Sequence, residues 1–233
     1  MKRYLPVAII AVVFAAAVAG GVALWKSSKE AQQPLQSTPF TTPAQSTATP
    51  LGTPMAPLPP DNPHARGNLN SKVTLDEYGD YQCPPCGALY PELKILEKDY
   101  GDQIRFVFHQ YPLSIHNHAE EAAHAAEAAA LQNHFWEMHD LLYQNQQSWA
   151  VAVDVRPVFL QYARMLNLDV TRFEHDLDSP EVAERVKIDM QRGLAQGVQG
   201  TPTLFINGQS IPPAMMTDDG LRKALDYVLG KRK

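Results

Sequence analysis

The hydrophobic pattern of the chain changes character along its length. An apolar run from Tyr4 to Trp25 comes first, and a stretch from Lys26 to Arg66 with few large apolar side chains follows. From Asn68 onward, short β-like runs alternate with helical periodicities. Val73 to Tyr78 reads as a strand, and Leu89, Leu93, Leu96 and Tyr100 recur at helical spacing up to a Gly101-Asp102 stop. Ile104 to Phe108, β-branched and aromatic, predicts a second strand, which completes a βαβ unit. A long helical region comes next. Ala119 to Leu131 is rich in Ala and Glu, and His134 to Tyr143 continues it. Val155 to Leu166 and Pro180 to Gln196 are further helices, with Asp154 and Ser179 as N-caps. Strands then return. Thr203 to Ile206, the turn Asn207-Gly208 and Gln209 to Ile211 form a hairpin, and Leu221, Leu225, Val228 and Leu229 mark a last amphipathic helix. No internal repeat is evident.

The apolar run near the N-terminus is long enough for a helix that spans the ~30 Å hydrocarbon core of a bilayer. Lys2 and Arg3 precede it; Trp25, Lys26 and Lys29 would stand at its far interface. The competing reading is a cleaved secretory signal, since Ala17-Val18-Ala19 fits a small-x-small cleavage site. The uncleaved anchor over residues 1–25 is preferred, because apolar residues continue past that site. Both readings send the rest of the chain out of the cytoplasm. Residues 26–66 hold nine prolines and ten Ser or Thr, with Phe40 as the one aromatic. Such a composition buries too little apolar surface to offset chain entropy. It predicts a disordered tether with a reach of roughly 35 Å as a coil and about 130 Å when fully extended. The folded domain is expected over residues 67–231.

Charge narrows the choice of partners. The formal net charge is −5 and no basic stripe is present, so nucleic acid is not an expected ligand. The two cysteines, Cys83 and Cys86, stand in the stretch "YQCPPCG" directly after the first predicted strand. Three readings compete. A structural disulfide over so short a loop would constrain the unfolded chain little. A zinc site would need two more ligands, which His134 and His139 could supply only from far along the chain. The third reading is redox chemistry. Cys83 would lie at a helix N-terminus, where unpaired N–H groups and the helix dipole favour the thiolate. Pro84 and Pro85 suit the first turn, which needs no intrahelical N–H bond. Cys86, one turn in, would resolve a mixed disulfide. The ordinary reading of His109, His116, His118, His124, His134, His139 and His175 is as surface or capping residues.

These residues resemble the DsbA family of thioredoxin-fold proteins. The resemblance rests on Cys83-Pro84-Pro85-Cys86, on Gly200-Thr201-Pro202-Thr203 before the hairpin, and on the helical block between the two halves of the sheet. Within that block "FWEMHDLL", Phe135 to Leu142, is similar to a segment of the family's tethered members. The resemblance covers residues 68–229. It implies an α/β thioredoxin fold, a mixed central sheet flanked by helices, with a helical insert over about residues 114–196. It implies Cys83 as nucleophile and Cys86 as resolving thiol. Pro202 is then preceded by a cis peptide and, with Thr201, offers a substrate chain a backbone edge. Glu77 becomes the buried acid that exchanges a proton with Cys86; strand alternation allows only one of Asp76 and Glu77 beneath the motif. Pro91 becomes a mid-helix kink.

The function implied is a thiol–disulfide oxidoreductase of a bacterial cell envelope, anchored in the inner membrane with its catalytic domain in the periplasm. It would oxidise cysteine-containing secreted proteins and be reoxidised by a membrane quinone-linked thiol oxidase. It would use no cofactor beyond the Cys83–Cys86 disulfide. Thr201 and the Pro-Pro pair also suit a reductase or isomerase, the same chemistry run in reverse. A non-catalytic, chaperone-like binding module is the alternative from another class.

Overall fold

The structure, a computed structural model, describes residues 64–231. The predicted anchor or signal, and the tether up to residue 63, lie outside the described residues. In chain order the first elements are β1 (Ala65–Gly67), β2 (Thr74–Gly79), α1 (Pro84–Tyr100) and β3 (Arg105–Gln110). The helical block comprises α2 (Ala119–Ala130), α3 (Phe135–Gln144), α4 (Gln146–Trp149), α5 (Arg156–Met165), α6 (Val170–Leu177) and α7 (Pro180–Ala195). The chain closes with β4 (Thr203–Ile206), β5 (Gln209–Ser210), a 3₁₀ turn (Pro213–Met215) and α8 (Asp218–Val228).

The strands form one mixed sheet in the order β1-β3-β2-β4-β5. β2 runs parallel to β3, as the βαβ unit requires, and antiparallel to β4. Alternation along β2 sorts its side chains by face. Leu75 and Glu77 lie opposite Phe106 and Phe108 on β3 and opposite Ile206 and Leu204 on β4. On that side Leu89, Leu93 and Leu96 of α1 and Leu221 and Leu225 of α8 pack into one buried cluster. A leucine fully buried in such a cluster contributes about 1.5–3 kcal/mol. On the other face Tyr78 packs with Tyr111, Val198 and Phe205, near α7. The alanines of α2 join Phe135, Met138, Trp149, Phe159 and Phe173 in a separate core. Cys83 and Cys86 belong to that core, at the seam between sheet and insert.

Three expectations are corrected. The folded part extends back into the predicted tether: β1 pairs with β3, Ala65 opposite Val107, and the His64 carbonyl accepts from Phe108 N. A strand this short has no periodicity to read; side chains distant in sequence hold it. Arg66 lies over the Trp136 ring at 3.7 Å and bonds Glu97 at 2.6 Å. The helix expected to continue from Ala119 through Tyr143 is broken by Asn133, whose φ of 61° no helix residue adopts. Asp154 is not the N-cap of α5, which is Val155; Asp154 instead accepts from Arg156 N at 3.0 Å. Ser179 does cap α7, accepting from Val182 N. Two short helices, α4 and α6, were not expected.

Candidate active site

Cys83 is the extended residue that caps α1, with Pro84 and Pro85 in the first turn. Its carbonyl accepts the first helical bond, from Gly87 N at 3.1 Å. The two prolines are exposed and both cysteines are buried, as free thiols. The Thr201–Pro202 peptide is cis, and the Cys83 thiol donates to the Thr201 carbonyl at 3.4 Å. The motif and the loop before β4, remote in sequence, thus meet at one sulfur atom.

The two thiols differ sharply. Cys83 is held down to about 6, first by the hydrogen bond from the Cys86 thiol, then by the Thr201 side chain and the Cys86 backbone N–H; burial opposes these. The Thr201 hydroxyl is buried. Cys86 is pushed well above its ordinary value by burial, and further by the hydrogen bond it gives Cys83 and by the Glu77 charge. A negative charge between the two sulfurs therefore rests on Cys83. Glu77 is buried on the α1 side of the sheet, while Asp76 faces the other way and bonds His109 at 3.0 Å. Burial raises Glu77 to about 8 against the pull of Arg66 and His109, so it carries a proton near neutrality. Pro91 lies inside α1, as expected.

The insert grips the motif through residues the sequence did not single out. Gln146 of α4 donates from Nε2 to the Tyr81 carbonyl at 2.7 Å and to the Cys83 carbonyl at 2.9 Å. Gln82 donates to the Ala150 carbonyl at 3.0 Å and accepts from His118 N at 2.6 Å. Asp80 accepts from Gln82 N at 2.7 Å and Leu113 N at 2.9 Å, and from His116 at 2.6 Å. Nothing in a single sequence links Gln146 to a motif so far upstream; Asp80 and Gln82 had only their nearness to Cys83 as a signal.

The histidine pair weighed as zinc ligands is used otherwise. His139 is buried among Tyr81, Phe108, Trp136 and Tyr143 with Nδ1 on Asp140 at 3.0 Å, and burial lowers it to about 4. His134 caps α3 beside Glu137. Among the described residues no group of three or more His, Cys, Asp or Glu side chains is placed to hold a metal ion.

The sheet order, the cis proline beside a CxxC helix and the helical insert define a thioredoxin-fold protein of DsbA type. A family model described as Thioredoxin matches residues 60–227, and the chain belongs to that family. Among solved structures, oxidised BdbD from Bacillus subtilis superimposes with a TM-score of 0.63 at 23% identity, over 72% of this chain and 92% of that one. Pseudomonas aeruginosa DsbA2 gives 0.58 at 25% identity, over 74% and 97%. The thiol-disulfide exchange protein α-DsbA2 of Wolbachia pipientis gives 0.61 at 22%, over 70% and 86%. Among curated proteins, the Na(+)/H(+) antiporter NhaA 3 of Salinispora tropica is 42% identical over 157 residues, 66% of this chain but 23% of its own length. The chain spans about a quarter of such relatives. Among the described residues no helix is long and apolar enough to cross a membrane.

Proposed function

We propose that the chain is a thiol–disulfide oxidoreductase that acts outside the cytoplasm and oxidises cysteine pairs in secreted or envelope proteins through Cys83 and Cys86. One observation carries this reading: Cys83 stands at the head of α1 against the Thr201–Pro202 peptide, with the thiolate favoured on Cys83 and disfavoured on Cys86. A stabilised Cys83 thiolate stabilises the reduced form and makes the disulfide an oxidant.

In the reaction a substrate thiolate attacks Cys83 Sγ of the disulfide. The Cys83–Cys86 bond breaks, and the Cys86 sulfur leaves and takes a proton, for which Glu77 is the buried donor. A second substrate thiolate attacks the substrate sulfur of the mixed disulfide, and Cys83 leaves as the thiolate. Two electrons pass to the protein and a disulfide forms in the substrate. Thr201 and Pro202 offer the substrate backbone its edge, and Pro84 and Pro85 shape the turn between the sulfurs. No cofactor beyond the disulfide is needed. The N-terminal segment would hold the domain at the inner membrane, facing the periplasm, where a quinone-linked thiol oxidase would restore the disulfide.

A reductase or isomerase would use the same residues with the dithiol as resting form, and Thr201 with the Pro-Pro pair favours that second reading. Equilibration with glutathione separates the two. A potential near about −120 mV is expected, and one near about −270 mV would reverse the direction of electron flow. Cys83→Ser should abolish exchange, and Cys86→Ser should trap mixed disulfides with substrates. Client binding that survives loss of Cys83, without exchange, would instead indicate a binding module.

A further inference from the structure

Asp80 stands three residues before Cys83, and its side chain is fully buried. Its carboxylate takes the Gln82 and Leu113 N–H groups and the His116 Nδ1, and its backbone carbonyl takes Cys83 N at 3.1 Å. Capping a turn needs no charge: a serine or asparagine would serve, and burying a carboxylate is costly unless it is well paired. Here the charge is placed beside the group whose own charge matters most. A carboxylate close to a thiolate opposes it, and the Asp80 charge does raise the Cys83 pKa, against the donors that lower it. Gln82, next to Cys83, donates to Oδ1, while His116, on the loop that enters the insert, meets Oδ2. An ionised carboxylate can only accept, so Nδ1 carries the hydrogen at this 2.6 Å contact and draws charge away from Cys83.

We propose that Asp80 and His116 are positioning residues that together set how readily Cys83 holds its thiolate, Asp80 opposing the charge and His116 offsetting Asp80. This makes the insert, which supplies His116, part of the redox tuning rather than only a cover. The inference rests on the reading of Cys83 as the redox nucleophile.

The test uses the full chain with Asp80→Asn and His116→Gln. Thiolate absorbance at 240 nm is followed against pH, and the dithiol–disulfide equilibrium with glutathione is measured. D80N should shift the Cys83 titration down by about one pH unit and move the equilibrium toward the dithiol by up to about tenfold. H116Q should shift both the other way. A scaffold role alone would lower the unfolding midpoint without moving either readout. If the variants fold and exchange but Cys83 titrates as in the unsubstituted chain, or both shift it in one direction, the inference is overturned. If D80N does not fold, H116Q decides, since it leaves the Asp80 cap in place: an unmoved titration overturns the inference and an upward shift supports it. Absence of exchange in the unsubstituted chain would overturn the redox reading and this inference with it.

Discussion

The side chain of Gln146 fills the space that a β-carbon on Gly87 would need. The second residue is glycine so that the first can reach over the α1 terminus to the Tyr81 and Cys83 carbonyls. Gly87→Ala should displace the Gln146 amide, cost about 1–3 kcal/mol and slow disulfide exchange. The double variant with Gln146→Ala should cost less than the sum of the two single changes, because the clash and the bonds belong to one contact. Urea midpoints of the four proteins measure this; strict additivity would refute it.

Glu77 sets a stability–activity conflict. Its folded value of about 8 lies above the ordinary 4.5, so the folded chain binds this proton more tightly than the unfolded one. Stability from this group is present below about pH 4.5 and is lost as pH rises through about 8. Glu77→Gln should therefore raise stability at pH 9 by about 3–5 kcal/mol. In the proposed mechanism the same change removes the proton donor to Cys86 and should slow exchange about a hundredfold. A variant no more stable at pH 9, or one equally fast, would count against the assignment.

A second buried charge group sits at the β1 edge of the sheet. His64 contacts Glu127 at 2.8 Å and Asp189 at 3.5 Å, and Asp189 also holds His109 and Arg192. His64 is raised to about 10; burial alone would lower it, and the Glu127 charge leads the groups that overcome this. Its contribution is complete below pH 6.5 and is lost as pH climbs through about 10. Asp189 is depressed by His109 and His64 in spite of its burial, so its contribution is present above its ordinary value of 3.8 and fades as pH falls. With Glu77 acting in the same sense on the alkaline side, thermal stability should peak near about pH 5. His64→Gln should flatten the alkaline limb; an unchanged profile of melting temperature against pH would exclude His64 as its source.

Arg66 ties β1 to α1 and α3 through Glu97, Asp140 and the Trp136 ring. Arg66→Ala should cost about 2–4 kcal/mol, since partly buried acids lose their counter-charge and the ring its cation. Arg66→Lys should recover less than half, because an ammonium cannot pair with Glu97 and lie flat on the indole together. Denaturant unfolding of the three proteins tests this.

The sequence made legible what depends on local pattern. The βαβ unit showed in the period change from Val73–Tyr78 to Leu89–Tyr100, the hairpin in Asn207-Gly208, and the choice of Glu77 over Asp76 in strand alternation together with the family likeness. The parts that stayed hidden are held by contacts between distant residues: β1 by Arg66 and His64, the break at Asn133 by one backbone angle, and the grip of Gln146 on the motif by a glycine. The histidines read as surface groups were the largest misjudgement. His109 is buried because Asp76 and Asp189, far along the chain, meet it, and His116 is held by Asp80, which no local pattern announces.

The register of β2 also has a consequence in time. Glu77 has Phe108 as its neighbour on one side, supplied soon after it in the chain, and Leu204 on the other, supplied only after the whole insert. Synthesis from the N-terminus gives the first neighbour early and the second late, and pairing over such a span is slow to form. Thr201, one of the groups that stabilise the Cys83 thiolate, arrives just ahead of β4. A half-made chain thus lacks one of the groups that hold the Cys83 thiol down. That group comes into place only when β4 closes on β2, after the whole insert has been made.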